Sequence, residues 1–233
     1  MSHNMIYQID VKVYILKTIT YHDMQQQITQ YVDQVMAKKE ELLILHNTNC
    51  FKYYCFSGFK TIQREGIYHE GSLNSFSVRC LDKKFAEYLV CELANHTSLT
   101  MKGLSCQTKI VKTGRIQKLY LITPAVLKFE DGYWRKNHSL EEFQKRIISN
   151  TLRKYEEYTQ EEIEQPVKLF TNFRLLNKVP IKTRYKNIHL LGDKFELIIA
   201  EDEVSQKLAQ FLLGTGACEL NSRGFGFLNY KSV

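Results

Sequence analysis

The order in which hydrophobic periods succeed one another constrains this chain most. Residues 5–16 alternate, with Tyr7, Ile9, Val11, Val13 and Ile15 on one face and Gln8, Asp10 and Lys12 opposite, the pattern of a half-buried strand. The period then lengthens, and Met24, Ile28, Tyr31, Val32, Val35 and Met36 recur at helical spacing over residues 22–38. Tyr53–Phe59 and Leu73–Cys80 read as strands separated by a polar loop carrying Gly66 and Gly71. Phe85, Ala86, Leu89, Val90 and Leu93 mark a second helix, and Leu104, Cys106, Thr108 and Ile110 alternate as a further strand. Strand, helix, strand, strand, helix, strand is one split βαβ unit.

The same order then returns. Leu119–Phe129 reads as a strand whose Pro124 points to an edge position or a bulge. Ser139 and Glu142 have the spacing of a capping box and open a helix carrying Leu140, Phe143, Ile147, Ile148 and Leu152. Val167–Arg174 and Phe195–Ala200 are strand candidates, with Lys178–Leu191 a hairpin between them. Val204, Leu208, Phe211 and Leu212 make a last helix, and Phe225–Tyr230 a last strand. The expected fold is therefore α+β, with two tandem ferredoxin-like (RRM-like, βαββαβ) domains at residues 1–116 and 117–233. The hinge falls near Lys112–Lys118, where Gly114 interrupts a basic run. The halves are not visibly similar in sequence, so the repeat is one of topology.

Hydrophobic residues at 44% and charged residues at 24% are those of a folded chain. The net charge of +7 points to a polyanionic partner, either nucleic acid or an anionic membrane surface. No run approaches the roughly 20 apolar residues of a membrane span. The N-terminus, MSHNMIYQID, carries His3 and Asp10 and lacks the features of a signal peptide, so a cytoplasmic protein with no membrane contact is expected. The cysteines at 50, 55, 80, 91, 106 and 218 form no CxxC pair. Cys50 and Cys55 lie near His46, but a structural zinc site takes about four ligands in close pairs and no second pair exists. Neither a metal nor a cofactor is expected.

The segment FLLGTGACELNSRGFGFLNY is rich in glycine, the residue that allows positive φ and close approach of another backbone or a phosphate. Exposed amides in such a loop can form an anion-binding concavity. No Gly-Lys-Ser or Gly-Lys-Thr follows to make a phosphate-binding P-loop, and a dinucleotide fingerprint would lie between a strand and a helix, the reverse of the order here. Residues Arg223 to Tyr230 match the RNP1 pattern of RNA-recognition motifs, with Leu228 in place of Val. RNP1 occupies an internal strand, whereas this segment ends the second unit.

Read as G-x-G-x5-S-x-G-x-G, with Gly214, Gly216, Ser222, Gly224 and Gly226, the tail of this basic double-domain chain resembles that of the CRISPR repeat-RNA-processing endoribonucleases, the Cas six family. Residues 45–59, LHNTNCFKYYCFSGF, resemble the family segment that carries a catalytic His with a Lys six residues on, and Tyr31 matches a Tyr on the preceding helix. Residues 121–126, LITPAV, resemble the family's entry into the second domain. Arg223 and Thr215 depart from the family pattern, which favours an apolar and a bulkier residue there.

The resemblance implies precursor CRISPR RNA as partner, with other effector-complex subunits as further candidates, and metal-independent cleavage within the repeat. RNA carries its own nucleophile: a deprotonated 2′-OH attacks in line and leaves 2′,3′-cyclic phosphate and 5′-OH ends. His46 then acts as base, Lys52 stabilises charge on the phosphorane, and Tyr31 orients the nucleophile or donates a proton. The residues alone allow plainer readings: a structural histidine, a solvated lysine, and a core tyrosine beside Ile28 and Val35. His22 is a spare candidate. RNA binding is expected from Lys178, Lys182, Arg184 and Lys186, interleaved with Tyr185, and from Arg223 with the amides of Gly214, Gly216, Gly224 and Gly226. A non-catalytic RNA-binding subunit and a basic protein-interaction module are the alternatives.

Overall fold

The computed structural model describes residues 5–61, 65–186 and 188–233. His3 of the N-terminal segment and residues 62–64 of the expected polar loop fall outside them. In the first half, β1 (Tyr7–Ile15) leads through β2 (Ile19–Thr20) into α1 (Tyr21–Met36) and α2 (Glu40–Asn47). There follow β3 (Tyr54–Phe56), β4 (Ile67–Tyr68), β5 (Leu73–Cys80), α3 (Lys83–Asn95) and β6 (Met101–Ile110). The main sheet has the order β3-β5-β1-β6, all neighbours antiparallel, which is the ferredoxin-like order. Thr20 caps α1 by accepting from the Asp23 amide, and the apolar stripe from Met24 to Met36 packs on the inner face of β1.

The second half repeats the scheme with β7 (Ile116–Leu121), α4 (Leu140–Thr159), β8 (Phe170–Leu175), β11 (Phe195–Ile199), α5 (Glu203–Thr215) and β12 (Leu228–Ser232), in the sheet order β12-β7-β11-β8. Between β8 and β11 stands the expected hairpin, β9 (Ile181–Tyr185) and β10 (Ile188–Gly192). Ser139 and Glu142 form the full capping box of α4. Asp193, buried at 1% exposure, anchors the base of the hairpin. Its carboxylate accepts from Tyr133 Oη (2.6 Å), Trp134 Nε1 (2.7 Å) and Asn177 Nδ2 (2.8 Å), and pairs with Arg135.

The halves share a packed boundary. Ile6 and Leu81 of the first join the apolar core of the second. Arg79, on β5, donates to Leu228 O at 2.6 Å and lies 4.5 Å over the Phe227 ring. The described elements also depart from the sequence expectations in three places. The run Leu42–Leu45 is continuous rather than periodic, and the helix it forms, α2, was not expected. β7 is an inner strand that stops before Pro124, so the proline needs neither an edge nor a bulge. The RNP1-like stretch gives an edge strand, β12, and its Phe225 and Phe227 are buried against the protein. They are closed to bases.

Three thiols sit in this interior: burial pushes Cys55, Cys80 and Cys218 each up to about 12. An unfolded thiol titrates near ~8.5. Folding therefore retains protons that the unfolded chain releases, and the stability this brings is present below that value and lost as pH rises towards 12. The amine of Lys154, lowered to about 8, acts in the opposite sense over part of that window, one group against three. The melting temperature is expected to fall from about pH 9 to about pH 11, and less steeply in Cys55→Ala/Cys218→Ala. Equal slopes in differential scanning fluorimetry would contradict this.

Candidate functional site

Between the halves lies a cleft of about 610 Å³ whose lining includes His46, Phe51, Lys52, Lys128, Arg153 and Arg223. His46 occupies the last turn of α2, which α1 supports from below through Leu42 and Leu45. Its Nδ1 lies 3.3 Å from Oδ1 of Asp33, a residue on α1, and its Nε2 lies 3.5 Å from Arg223 Nη2. Arg223 also pairs directly with Oδ2 of Asp33. Burial pushes the Asp33 carboxyl up, against the pull of Arg223 and His46. Oδ1 of Asp33 is buried without a hydrogen-bond partner among the described residues, so the aspartate acts on the imidazole as a nearby charge, while the Arg223 guanidinium, which can only donate, faces Nε2 as an acceptor. At 3.3 Å the approach of Asp33 to Nδ1 is a charge contact and not a hydrogen bond.

Arg223 reaches this point because the glycine-rich loop is folded into the boundary. After α5 the chain turns through Gly216 (φ 84°), forms a short 3-10 turn over Asn221–Arg223, and turns again at Gly224 (φ 81°) and Gly226 (φ 72°). Gln25 Nε2 and Thr29 Oγ1 of α1 both donate to Arg223 O, at 2.9 and 3.3 Å. All four loop glycines are buried. A Cβ on Gly214 would meet Leu81, on Gly216 Asn221 and Cys55, on Gly224 Phe56, and on Gly226 the carbonyl of Ala217. The amides of Gly216, Gly224 and Gly226 donate to Leu212 O, Asn221 O and Pro124 O; Gly214 and Gly224 pack against side chains of the first half, whereas Gly226 lets the two flanks of the loop itself approach.

The other expected residues divide. Tyr31 is wholly buried in the first core, its hydroxyl donating to Leu93 O (2.6 Å) and His96 O (3.1 Å), and it lines neither cavity. Lys52 lines the cleft, yet its ammonium is tied to Leu45 O and Thr48 O and closes the C-terminal end of α2. His22 is exposed beside Tyr21 and lines neither cavity described here. Lys182, Arg184 and Lys186 alternate along β9 and its turn and share one exposed face. Arg184 pairs with Asp23 of α1 at 3.1 Å, and with Lys186 it lines a second cavity, about 160 Å³, that meets the first at His46, Tyr185 and Arg223. Lys178 is exposed at the foot of the hairpin and lines neither cavity.

Sequence reasoning missed Asp33, Lys128, Arg153 and Lys154. Two left a readable trace. Asp33 interrupts the apolar run from Val32 to Met36, and Lys154 stands where the α4 stripe of Phe143, Ile147 and Thr151 calls for a core residue.

Two ferredoxin-like units closing on a cleft lined by His46, Lys52, Lys128, Arg153 and Arg223 define the class of fold, a tandem ferredoxin-like protein. The family model described as CRISPR associated protein Cas6, C-terminal, matches residues 106–230, more than half of the chain, and the chain belongs to that family. Among solved structures, a CRISPR associated protein Cas6 is similar at 21% identity and a TM-score of 0.71, over 97% of this chain and 100% of that one. A RAMP protein described as binding different RNA substrates is similar at 16% identity and TM-score 0.71, with 97% and 100% covered. A Cas6-related protein from Pyrococcus furiosus is similar at 18% identity and TM-score 0.68, with 97% and 98% covered. At these identities the likeness is one of fold. No curated protein matches the chain.

Proposed function

We propose that this protein is a metal-independent endoribonuclease that cuts precursor CRISPR RNA within its repeat and acts in the cytoplasm. Its two domains are residues 1–116 and 117–233. The observation that carries the reading is His46, held between Asp33 and Arg223 where the two cavities meet. His46 Nε2 takes the proton of the 2′-OH preceding the scissile phosphate. The O2′ attacks phosphorus in line, a P–O2′ bond forms and the P–O5′ bond breaks. The guanidinium of Arg223 faces the charge that builds on the non-bridging oxygens. His46 is the one imidazole lining the cleft among the described residues, so the departing O5′ takes its proton from solvent or from the imidazolium just formed. Lys52 acts on the reaction through the turn that carries His46.

The protein incubated with a CRISPR repeat transcript in EDTA is expected to make a single cut ending in a 2′,3′-cyclic phosphate. Tight binding without a cut would contradict the enzyme and leave a non-catalytic RNA-binding subunit. The hairpin cations should carry part of the affinity through phosphate contacts. Replacing Lys182, Arg184 and Lys186 with Gln is expected to lower the slope of log affinity against log salt by about 2, at ~0.7 per phosphate contact for a single strand. An unchanged slope in filter binding would remove the hairpin from the RNA path.

A further inference from the structure

Lys154 is a cation the cleavage chemistry does not use, and it is buried at 1% exposure on the inward face of α4. An ammonium in such a place is costly unless its protons find acceptors. Here Nζ donates to Gly216 O at 2.7 Å, to Asn221 Oδ1 at 2.9 Å and, more weakly, to Cys218 O at 3.4 Å. All three acceptors belong to the glycine-rich loop. Asn221 passes the restraint on, its Nδ2 donating to Ala217 O at 2.8 Å and Phe225 O at 3.0 Å, which ties the two flanks of the loop together. The same residue opens the 3-10 turn that ends at Arg223. The titratable groups facing the amine are Cys55 from β3 and Cys218 and Glu219 from the loop. The two buried thiols stay neutral near pH 7, and no carboxylate bonds the amine directly.

We infer that Lys154 is a positioning residue of the cleavage site: through Asn221, its ammonium holds the glycine-rich loop in the shape that sets Arg223 against Asp33 and His46. The inference rests on the cleft being the RNA-cutting site. A hydrophobic residue would fill the same space but could not make the three donations. Deprotonation leaves two N–H donors and a lone pair facing three oxygens, so the loop loosens in the deprotonated state. Burial brings this amine down to about 8, which places that loosening within reach of an ordinary pH–rate profile.

The test is a double-mutant cycle of Lys154→Met and Arg223→Ala, with full-length protein and repeat RNA under single-turnover conditions from about pH 6 to about pH 10. Lys154→Met alone is expected to slow cleavage roughly 10- to 100-fold, and to add little in the Arg223→Ala background. Wild type is expected to lose rate through about pH 8, and Lys154→Met to lack that alkaline fall. Additive losses, a wild-type rate, or an unchanged alkaline limb in Lys154→Met would each overturn the inference. Where circular dichroism shows Lys154→Met unfolded, Asn221→Ala replaces it in the cycle, with the same non-additivity expected. A wild-type protein that binds the repeat but leaves it whole refutes the ribonuclease reading alone. The cycle is then read on dissociation constants, where non-additivity upholds the Lys154–Arg223 coupling and additivity refutes it.

Discussion

His46→Ala is expected to slow single-turnover cleavage of a CRISPR repeat RNA by about 10²- to 10⁴-fold, the range a positioned general base contributes. Affinity for the RNA is expected to stay within about threefold, because phosphate contacts dominate binding and come from lysine and arginine. The imidazole is half-buried, and its partners Asp33 and Arg223 remain paired with each other when it is removed, so the fold is not expected to suffer. Tyr31→Phe supplies the contrast. It removes a hydroxyl that bonds Leu93 O and His96 O inside the first core, so its effect is expected on thermal stability and not on rate. Comparable rate losses in the two variants would mean that the site forms differently around bound RNA. A His46→Ala enzyme that cuts at the wild-type rate would remove the histidine from the chemistry.

Gly226→Ala is expected to destabilise the protein by about 3 kcal/mol or more, through backbone strain together with overpacking. Gly226 has φ 72°, and a Cβ there would lie 2.0 Å from the carbonyl oxygen of Ala217, backbone that cannot rotate away. Its own amide and carbonyl are committed, the first to Pro124 O at 2.8 Å and the second to Ala217 N at 2.9 Å. Gly132 is the control: its φ of 109° also disfavours a side chain, but nothing lies within 4 Å, so Gly132→Ala is expected to cost only the strain. The comparison separates two roles for the loop. A packing role lowers the melting temperature of Gly226→Ala by many degrees, whereas a phosphate cradle would leave stability near wild type and abolish RNA binding.

Periodicity carried the fold because each half has one sheet face and two helix stripes to bury, on α1 and α3 in the first and on α4 and α5 in the second. β1 and α1 announce those faces without ambiguity, as do the capping box of α4 and the hairpin cations. α2 escaped because Leu42, Leu43, Ile44 and Leu45 are consecutive; Leu43 and Ile44 remain exposed, so no buried stripe marks the helix. Helical spacing around Tyr31 was visible, and the core tyrosine it suggests is what the structure shows. The site is harder to read, since Asp33 and His46 lie on different helices of the first domain and Arg223 joins them from the second. Asp33 precedes His46 by 13 positions, while Arg223 follows it by 177. No local pattern links them. The glycines signalled close approach, and tertiary structure shows what approaches: side chains of the first half at Gly214 and Gly224, and the loop's own backbone at Gly226.

The most direct test of the cleavage mechanism uses a repeat RNA with one 2′-deoxy substitution at the nucleotide before the mapped cut. With the 2′-OH as nucleophile, wild-type protein in EDTA is expected to bind this RNA as tightly as the all-ribose repeat and leave it uncut over many half-lives of the control. Cleavage of the 2′-deoxy RNA at the same phosphodiester would contradict the mechanism built on His46, because the attacking oxygen would then have to come from water.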